Sequence, residues 1–423
     1  MPTRPRGRWP RDARGRVTDS SLAAQDNDPA RWRILSLLAV AELLGMSLWF
    51  AASAVSPQLA VRWLLSPGQA AWLTTIVQLG FVFGTGVAAL LNLADVLPSR
   101  RYFALAAVAG AAANAALVVS DHYGTALVLR FLTGFSLAGV YPPAMKMAST
   151  WFRARRGLAI GTVVGALTVG KATPYLVHAI PAAGPAAVIL AASACALVAA
   201  VLIAAFYRDG PYPFPPRPFS WTLVRTVFER REWRLATGGY LGHMFELYSF
   251  WTWIPFFIAA SVAASGEHEG AARVSLISFG TIAIGGFGCV WGGLSADRHG
   301  RERLVMFAMA LSGVCSLLIP FAFGSSLLFL TPLAWAWGFF VIADSAQFSA
   351  LVTEAVPPHA VGTALTVQTS LGFLLTMVSI QLIPPLVAIV GWRWVFPVLA
   401  LGPAFGIAAI QRLVRFKRAF APA

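Results

Sequence analysis

Six ionisable side chains lie inside long apolar stretches of this 423-residue sequence. If such a stretch crosses a membrane, a charge near the bilayer centre costs at least roughly 2.5 kcal/mol, so each of these residues is a candidate functional residue that faces protein or water. A buried carboxyl group can exchange a proton there, and a buried cation can bind an anion. The candidates for substrate binding or coupling are Glu42, Arg130, Lys171, His243, Glu246 and Asp344.

His243 and Glu246 are three residues apart, which places them on the same face of a helix. Glu246 comes about twelve residues into its apolar stretch, or roughly 18 Å of helical rise, near the middle of a hydrocarbon slab about 30 Å thick. Burial at that depth favours the protonated carboxyl group, and the histidine could share or relay the proton. The pair therefore predicts proton coupling, with a buried structural pairing of Glu246 to Lys171 or Arg130 as the alternative.

The bases and acids among the candidates come from opposite halves of the chain. Arg130 and Lys171 lie in the first half, and Glu246 and Asp344 lie in the second. An anionic solute held by Lys171 and Arg130 fits this arrangement, but the carboxylate of Glu42 would satisfy the same bases. The tryptophans that could line a cavity for an organic group, if they do not pack or lie at the membrane interface, are Trp49, Trp251, Trp253, Trp335 and Trp337.

The composition indicates the environment of these residues. Hydrophobic residues make up 58% of the chain, charged residues only 12%, and the mean hydropathy is +0.70. A soluble protein has about 25% charged residues, so a soluble enzyme is excluded, and the apolar content also excludes a disordered chain. Cys195, Cys289 and Cys315 each lie in an apolar stretch without metal-ligand spacing, which indicates packing rather than a disulfide or zinc site.

Twelve apolar stretches are long enough to cross a membrane, since a helix needs about 20 residues to do so. The sequence therefore predicts an all-α polytopic membrane protein with twelve transmembrane helices. The predicted spans are 34–58, 70–92, 102–120, 124–148, 157–180, 184–207, 235–263, 274–295, 304–323, 326–350, 361–390 and 394–412.

The basic residues are distributed unevenly about these spans. Of the 32 Lys and Arg residues, 27 fall on the side of the two termini, and only Arg62, Arg273 and Arg393 fall on the other. The positive-inside rule then predicts that both termini are cytoplasmic, and this placement argues against nucleic acid as the reason for the net charge of +15. The predicted parts are a basic cytoplasmic tail at 1–33, a six-helix bundle at 34–207, a cytoplasmic linker at 208–232, a second six-helix bundle at 233–412 and a cytoplasmic tail at 413–423.

The two predicted bundles have matching sequence features. Trp32-Arg33 opens the first as Trp233-Arg234 opens the second, and Gly84-x-Gly86 matches Gly286-x-Gly288 at nearly the same offset. Duplicated halves joined by a loop are typical of secondary transporters, in which one half rocks against the other around a site near the membrane midplane. The sequence therefore predicts two pseudo-symmetric halves.

A charged turn connects the eighth and ninth predicted spans. The segment 293–303 has the sequence Gly-Leu-Ser-Ala-Asp-Arg-His-Gly-Arg-Glu-Arg. It resembles the G-x-x-x-D-R-x-G-R signature of the major facilitator superfamily, and the twelve spans in two matched halves extend the resemblance over nearly the whole chain. The resemblance implies that Asp297, Arg298 and Arg301 belong to a cytoplasmic charge network that holds the inner gate closed. The alternative is a solvated turn that only fixes orientation.

The corresponding turn of the first half, 91–101, keeps Asp95, Arg100 and Arg101 but departs from the signature at both glycines and at the first arginine. The resemblance extends the gate role to these three residues. Arg130 with Gly134 resembles the R-x-x-x-G element of the same superfamily, which is associated with proton coupling.

The stretch from Tyr141 to Pro174, with 242–248, is similar to bacterial superfamily members grouped loosely with nitrate/nitrite transporters. True nitrate carriers of that group use an arginine on span two and another on span eight, and neither span has one here. The fifth span also lacks the Gly-Pro pair of drug antiporters, which disfavours antiport. The resemblance implies a plasma membrane location, which in a bacterium is the inner membrane.

The sequence thus predicts a secondary active transporter, and not an enzyme, that moves a small anionic solute by alternating access as a proton symporter. No complete G-x-x-x-x-G-K-[ST] sequence is present, so ATP-driven transport is not expected. We expect no cofactor and no metal; the expected partners are the solute, protons and membrane lipid, without nucleic acid or an obligate protein partner. The alternatives are a non-transporting receptor of the same fold, a facilitative uniporter or antiporter, and an intramembrane enzyme.

Overall fold

The long apolar stretches form helices, because a backbone inside a membrane must satisfy its hydrogen bonds internally. The computed structural model describes residues 28–153, 155–212, 220–266, 270–357 and 359–419. Parts of the predicted tails and linker, 1–27, 213–219 and 420–423, lie outside these residues. The side chain of Asp95 also lies outside the described part.

Ten α-helices form the described part of the first half, with one 3-10 turn at Leu117–Val119. They are α1 (Ala30–Met46), α2 (Ala51–Ala54), α3 (Ser56–Trp63), α4 (Pro67–Leu90), α5 (Leu93–Val96), α6 (Ser99–Ala116), α7 (Tyr123–Leu137), α8 (Tyr141–Ser149), α9 (Arg156–His178) and α10 (Pro185–Phe206).

The linker contributes one short helix and the second half eight, with a 3-10 turn at Phe396–Ala400. They are α11 (Trp221–Glu229), α12 (Arg231–Ser265), α13 (Ala271–Ala283), α14 (Gly285–His299), α15 (Arg301–Ala322), α16 (Leu327–Ala343), α17 (Ser345–Ala355), α18 (Val361–Trp394) and α19 (Leu401–Ala419).

Eleven helical paths in the described part are long and apolar enough to cross a membrane, and they correspond to predicted spans two to twelve. The first predicted span, 34–58, is covered by three shorter helices instead. The chain leaves helical geometry at 47–50 and again at Val55, which divides α1, α2 and α3. The prediction of twelve spans is therefore confirmed for eleven.

Spans four and ten are interrupted at corresponding places. In span four the break at 138–140 is followed by Pro142 and Pro143, which begin α8. Proline lacks a backbone N–H, so it is tolerated in the first turn of a new helix. In span ten the break is at Asp344, between α16 and α17. One of the six candidate residues therefore lies at a helix break.

The two halves meet along three main helix pairs, α9 with α14, α4 with α18, and α9 with α13. At the first pair, a Cβ atom on Gly165 would lie 2.7 Å from the carbonyl oxygen of Gly286, so only glycine allows this approach. At the second pair, Gln381 Nε2 donates a hydrogen bond of 3.1 Å to Thr75 Oγ1. The interface between the halves is therefore tight at α9 and α14, whereas α4 and α18 are joined by this hydrogen bond and by the ring contact of Phe81 with Phe373.

The beginning of α1 and the end of α19 lie at one end of the bundle, which we call the terminal end. The same end holds the ends of α8 and α14 and the beginnings of α9, α12 and α15. Contacts join these ends within the first half (Trp32 with Phe152), within the second half (Glu302 with Lys417) and between the halves (Gly157 with Asp297).

Candidate functional site

A small cavity of ≈ 60 Å³ lies between the two halves. Its wall is formed by α1, α8 and α9 of the first half and by α12, α16, α17 and α18 of the second. Lys171 of α9 is the only charged side chain on this wall within the described part of the chain. One ordered water needs about 10–15 Å³, so the cavity has room for a few water molecules but not for an organic solute.

Lys171 is 1% exposed and is surrounded by aromatic rings from both halves. Its Nζ atom lies 4.1 Å from the ring centroid of Trp49, 4.6 Å from that of Tyr248 and 5.0 Å from that of Trp251. It also donates a hydrogen bond of 2.5 Å to the hydroxyl oxygen of Tyr248. We call Lys171, Trp49, Tyr248 and Trp251 the Lys171 cage. Cation–π contacts of this kind stabilise a desolvated ammonium group.

The cage holds the ammonium group without a carboxylate. Among the described residues, no acidic side chain lies within ion-pair distance of Lys171 Nζ. Glu42 of α1 is close enough to interact with it electrostatically. Glu42 is itself fully buried, and neither carboxyl oxygen has a hydrogen-bond partner in the described part. Lys171 and Glu42 are thus opposite charges that are buried near each other but not bonded.

Arg130 of α7 is also fully buried, but it does not line the cavity. It donates hydrogen bonds to the backbone oxygens of Leu73 (3.2 Å), Leu48 (3.1 Å) and Trp49 (2.5 Å), and to Asn114 Oδ1 (3.2 Å). The break in span one frees the carbonyl groups of Leu48 and Trp49 for these bonds. Arg130 therefore holds the backbone of a cage residue in place, and its role in substrate binding or coupling stays a prediction.

His243, Glu246 and Asp344 lie together inside the second half, behind the cavity wall. His243 Nδ1 is 2.9 Å from Asp344 Oδ1, an ion-pair distance without the alignment of a hydrogen bond. Glu246 Oε1 accepts a hydrogen bond of 2.8 Å from Trp337 Nε1. The spacing of His243 and Glu246 predicts that these two residues pair, whereas the direct partner of His243 in the structure is Asp344. The coupling roles of the three residues stay predictions.

The predicted gate residues lie at the terminal end. A Cβ atom on Gly157, at the beginning of α9, would lie 3.4 Å from both carboxyl oxygens of Asp297, so this acid faces the other half of the molecule. Arg301 forms an ion pair with Glu354 within the second half. In the part of the chain that the structure describes, Arg298, Arg100 and Arg101 have no ion pair. The gate roles of all six residues stay predictions.

Several contributors were not identified from the sequence. Tyr248 is a cage residue, and Glu354 is the ion-pair partner of Arg301. Asn114 Oδ1 accepts a hydrogen bond from Arg130. The signal that could have identified Tyr248 is its position three residues before the cavity candidate Trp251, on the same face of one helix. Of the five tryptophans proposed from the sequence, Trp49 and Trp251 line the cavity.

Comparisons with known proteins support this architecture. A family model described as Major Facilitator Superfamily matches residues 37–380. A search of curated protein sequences finds no match. Among solved structures, 309 chains match. One is the crystal structure of a bacterial homolog to the human lysosomal transporter Spinster in an inward-facing and unoccupied conformation, with a TM-score of 0.65 and 14% identity over 93% of this chain and 96% of that one. At this identity the likeness shows the fold.

Proposed function

This chain belongs to the Major Facilitator Superfamily, a family of membrane transporters, and from that premise we propose that it is a secondary transporter that moves a small anionic solute by alternating access. The observation that carries the proposal is Lys171, a buried cation on the wall of the cavity between the halves. Its direct polar partner is a neutral hydroxyl group, that of Tyr248. An anion entering the cavity could bind the ammonium group directly, which the Glu42 carboxylate does not do.

The geometry of the cage supports a link between binding and movement. Trp49 belongs to the first half, as does Lys171, whereas Tyr248 and Trp251 belong to the second. Rocking of one half against the other would change the distance from Lys171 to these last two rings. An anion on Lys171 competes with the Tyr248 hydroxyl for the ammonium protons, so binding would weaken the contact between halves. The present cavity is too small for an organic solute, which means that the halves must separate to admit one.

The distribution of basic residues supports an orientation for this transporter. In the topology predicted from the sequence, 27 of the 32 Lys and Arg residues fall on the side that carries the termini. The positive-inside rule places that side in the cytoplasm. We therefore propose that the protein lies in the plasma membrane with the terminal end of the bundle facing the cytoplasm. The contact between α4 and α18 at Thr75 and Gln381 then closes the opposite side.

Charge balance favours protons as the coupled ion. A solute anion that neutralises Lys171 would leave the carboxylate of Glu42 without compensation, and a buried uncompensated charge costs several kcal/mol. A proton on Glu42 removes that cost. Glu246 and Asp344 are two further buried carboxyl groups, in the second half. We keep Glu246 as the proposed coupling residue of that half.

The test is uptake of a panel of organic and inorganic anions into proteoliposomes, with and without an inward proton gradient. We expect one or more anions to accumulate only with the gradient. Glu42→Gln and Glu246→Gln should each remove accumulation, while the solute still equilibrates. Gradient-independent equilibration by the wild-type protein, unchanged in both variants, would refute proton coupling and indicate a uniporter. Binding without any uptake would refute transport and indicate a receptor.

A further inference from the structure

A second hollow, of ≈ 500 Å³, lies on the outer surface of the second half at the terminal end. It is a crevice between the end of α14 and the beginning of α15, and it is separate from the cavity between the halves. We call it the α14–α15 crevice. The residues that define it are Trp291, Leu294, Arg298, Arg303, Leu304 and Phe307.

Two guanidinium groups at this crevice have no counter-charge among the residues that the structure describes. Arg298 and Arg303 are both exposed, and within the described ranges neither forms a hydrogen bond or an ion pair. The other charges of the same turn are engaged elsewhere. Arg301 pairs with Glu354, and Glu302 pairs with Lys417 at 2.8 Å.

The acid of the turn is also directed away from the crevice. Asp297 lies against Gly157 of the first half. The turn therefore presents two positive charges to the crevice and no negative one from its own described side chains. His299, the remaining polar ring at the rim, uses Nδ1 in a 3.2 Å contact with the carbonyl oxygen of Ser295.

The wall of the crevice below these arginines is apolar. Leu294 is 44% exposed and Phe307 is 51% exposed, although both belong to membrane-spanning helices. The ring of Trp291 packs 6.4 Å from that of Phe307 and 5.5 Å from that of Phe339, which gives the wall a fixed aromatic surface. Exposed apolar side chains on a membrane-spanning helix contact acyl chains or a partner.

We propose that the α14–α15 crevice binds one anionic phospholipid, with a glycerophosphate headgroup, from the leaflet at the terminal end. Guanidinium groups bind phosphate oxygens with paired, charge-assisted hydrogen bonds, and basic pockets between membrane helices suit anionic headgroups. Arg298 and Arg303 hold the phosphate, while Leu294 and Phe307 contact the first part of an acyl chain. The apolar wall is the reason to choose a lipid over a soluble phosphate.

The experiment is native mass spectrometry of the purified full-length protein in detergent, titrated with phosphatidylglycerol or with phosphatidylcholine of the same acyl chains. We expect one phosphatidylglycerol to be retained about tenfold more tightly than phosphatidylcholine, because both lipids carry a phosphate but the choline cation of phosphatidylcholine neutralises it and is repelled by the two arginines. The double variant Arg298→Gln/Arg303→Gln should lose this preference. Leu294→Ser should weaken retention of both lipids.

The control variant is Arg415→Gln/Arg418→Gln, which removes two exposed arginines of α19 at the same end. It should retain phosphatidylglycerol as the wild type does. Equal retention of the two lipids by the wild-type protein, or an unchanged preference in Arg298→Gln/Arg303→Gln, would overturn the proposal. Complete displacement of phosphatidylglycerol by glycerol 3-phosphate alone would show that the site binds a soluble phosphate and would overturn the choice of a lipid. Helical circular dichroism of each variant shows whether it is folded, and the substituted arginines are all on the surface.

Discussion

Lys171 Nζ and the hydroxyl oxygen of Tyr248 are 2.5 Å apart, and this hydrogen bond joins the first half of the molecule to the second. Both residues are buried, and both line the cavity between the halves. A cation in one half is therefore held by an aromatic residue of the other. A ligand that binds the cation acts directly on the contact between the halves.

Tyr248→Phe should destabilise the protein, because it removes the direct hydrogen-bond partner of a buried ammonium group. We expect a loss of about 1.5–3 kcal/mol, observed as a lower midpoint of thermal unfolding in detergent. Tyr141→Phe is the matched control, since Tyr141 lines the same cavity and its hydroxyl group has no hydrogen bond among the described residues. An equal change in the two variants would show that the Lys171–Tyr248 bond contributes nothing.

Cross-linking α4 to α18 should stop transport, because one half could no longer rock against the other. Thr75→Cys/Gln381→Cys, in a background without Cys195, Cys289 and Cys315, joins side chains that are hydrogen-bonded at 3.1 Å. A short cleavable thiol cross-linker should abolish uptake, and reduction should restore it.

A cross-link within one half is the control for that experiment. Arg62 and Asp121 form an exposed ion pair of 3.0 Å inside the first half. Cross-linked Arg62→Cys/Asp121→Cys should transport normally. Full activity of the cross-linked Thr75→Cys/Gln381→Cys protein would contradict alternating access by movement of the halves.

Gly165→Ala should disturb the contact between α9 and α14. The added Cβ atom would lie 2.7 Å from the carbonyl oxygen of Gly286, so the helices must move apart. We expect a loss of about 1–3 kcal/mol in unfolding free energy, the usual effect of overpacking, together with reduced uptake. Gly86→Ala is the control, because a Cβ there meets nothing within 4 Å. Wild-type stability of Gly165→Ala would contradict the close approach.

Asp297→Asn should favour opening at the terminal end. The carboxylate faces the first turn of α9. A negative charge at the N-terminus of a helix interacts favourably with the helix dipole, and we expect this interaction to stabilise the closed terminal end by about 0.3–1 kcal/mol. Its loss should increase the labelling rate of Ser349→Cys, a partly exposed cavity residue, by a polar thiol reagent. Asp121→Asn, an exposed acid paired with Arg62, should leave that rate unchanged. An unchanged rate in Asp297→Asn would argue against a gate role.

The helical architecture could be predicted because apolar stretches of membrane-spanning length leave the backbone no other structure. The division of span one could not be predicted in this way, since nothing in 47–50 forbids a helix. Tertiary contacts stabilise the break, because Arg130 donates hydrogen bonds to the carbonyl oxygens of Leu48 and Trp49.

The charged candidate residues could be found from the sequence, but the orientations of their side chains could not. A charge in an apolar stretch indicates a special environment, and this criterion is enough to predict Lys171 as a site residue. The direction of each side chain depends on the rotation of its helix within the bundle. Arg130 and Glu246 meet the same sequence criterion as Lys171 and yet lie outside the cavity wall.

The most direct test of the central claim compares anion uptake by the wild-type protein with uptake by Lys171→Arg and Lys171→Gln in proteoliposomes. Removing a charged contact of about 1.5–3 kcal/mol should weaken the apparent affinity of Lys171→Gln by about 10- to 100-fold. Lys171→Arg should keep part of the apparent affinity for the anion. The surface control Arg62→Gln should keep the wild-type affinity. Anion uptake by Lys171→Gln with wild-type affinity would contradict the account, because the solute would then bind without the caged ammonium group.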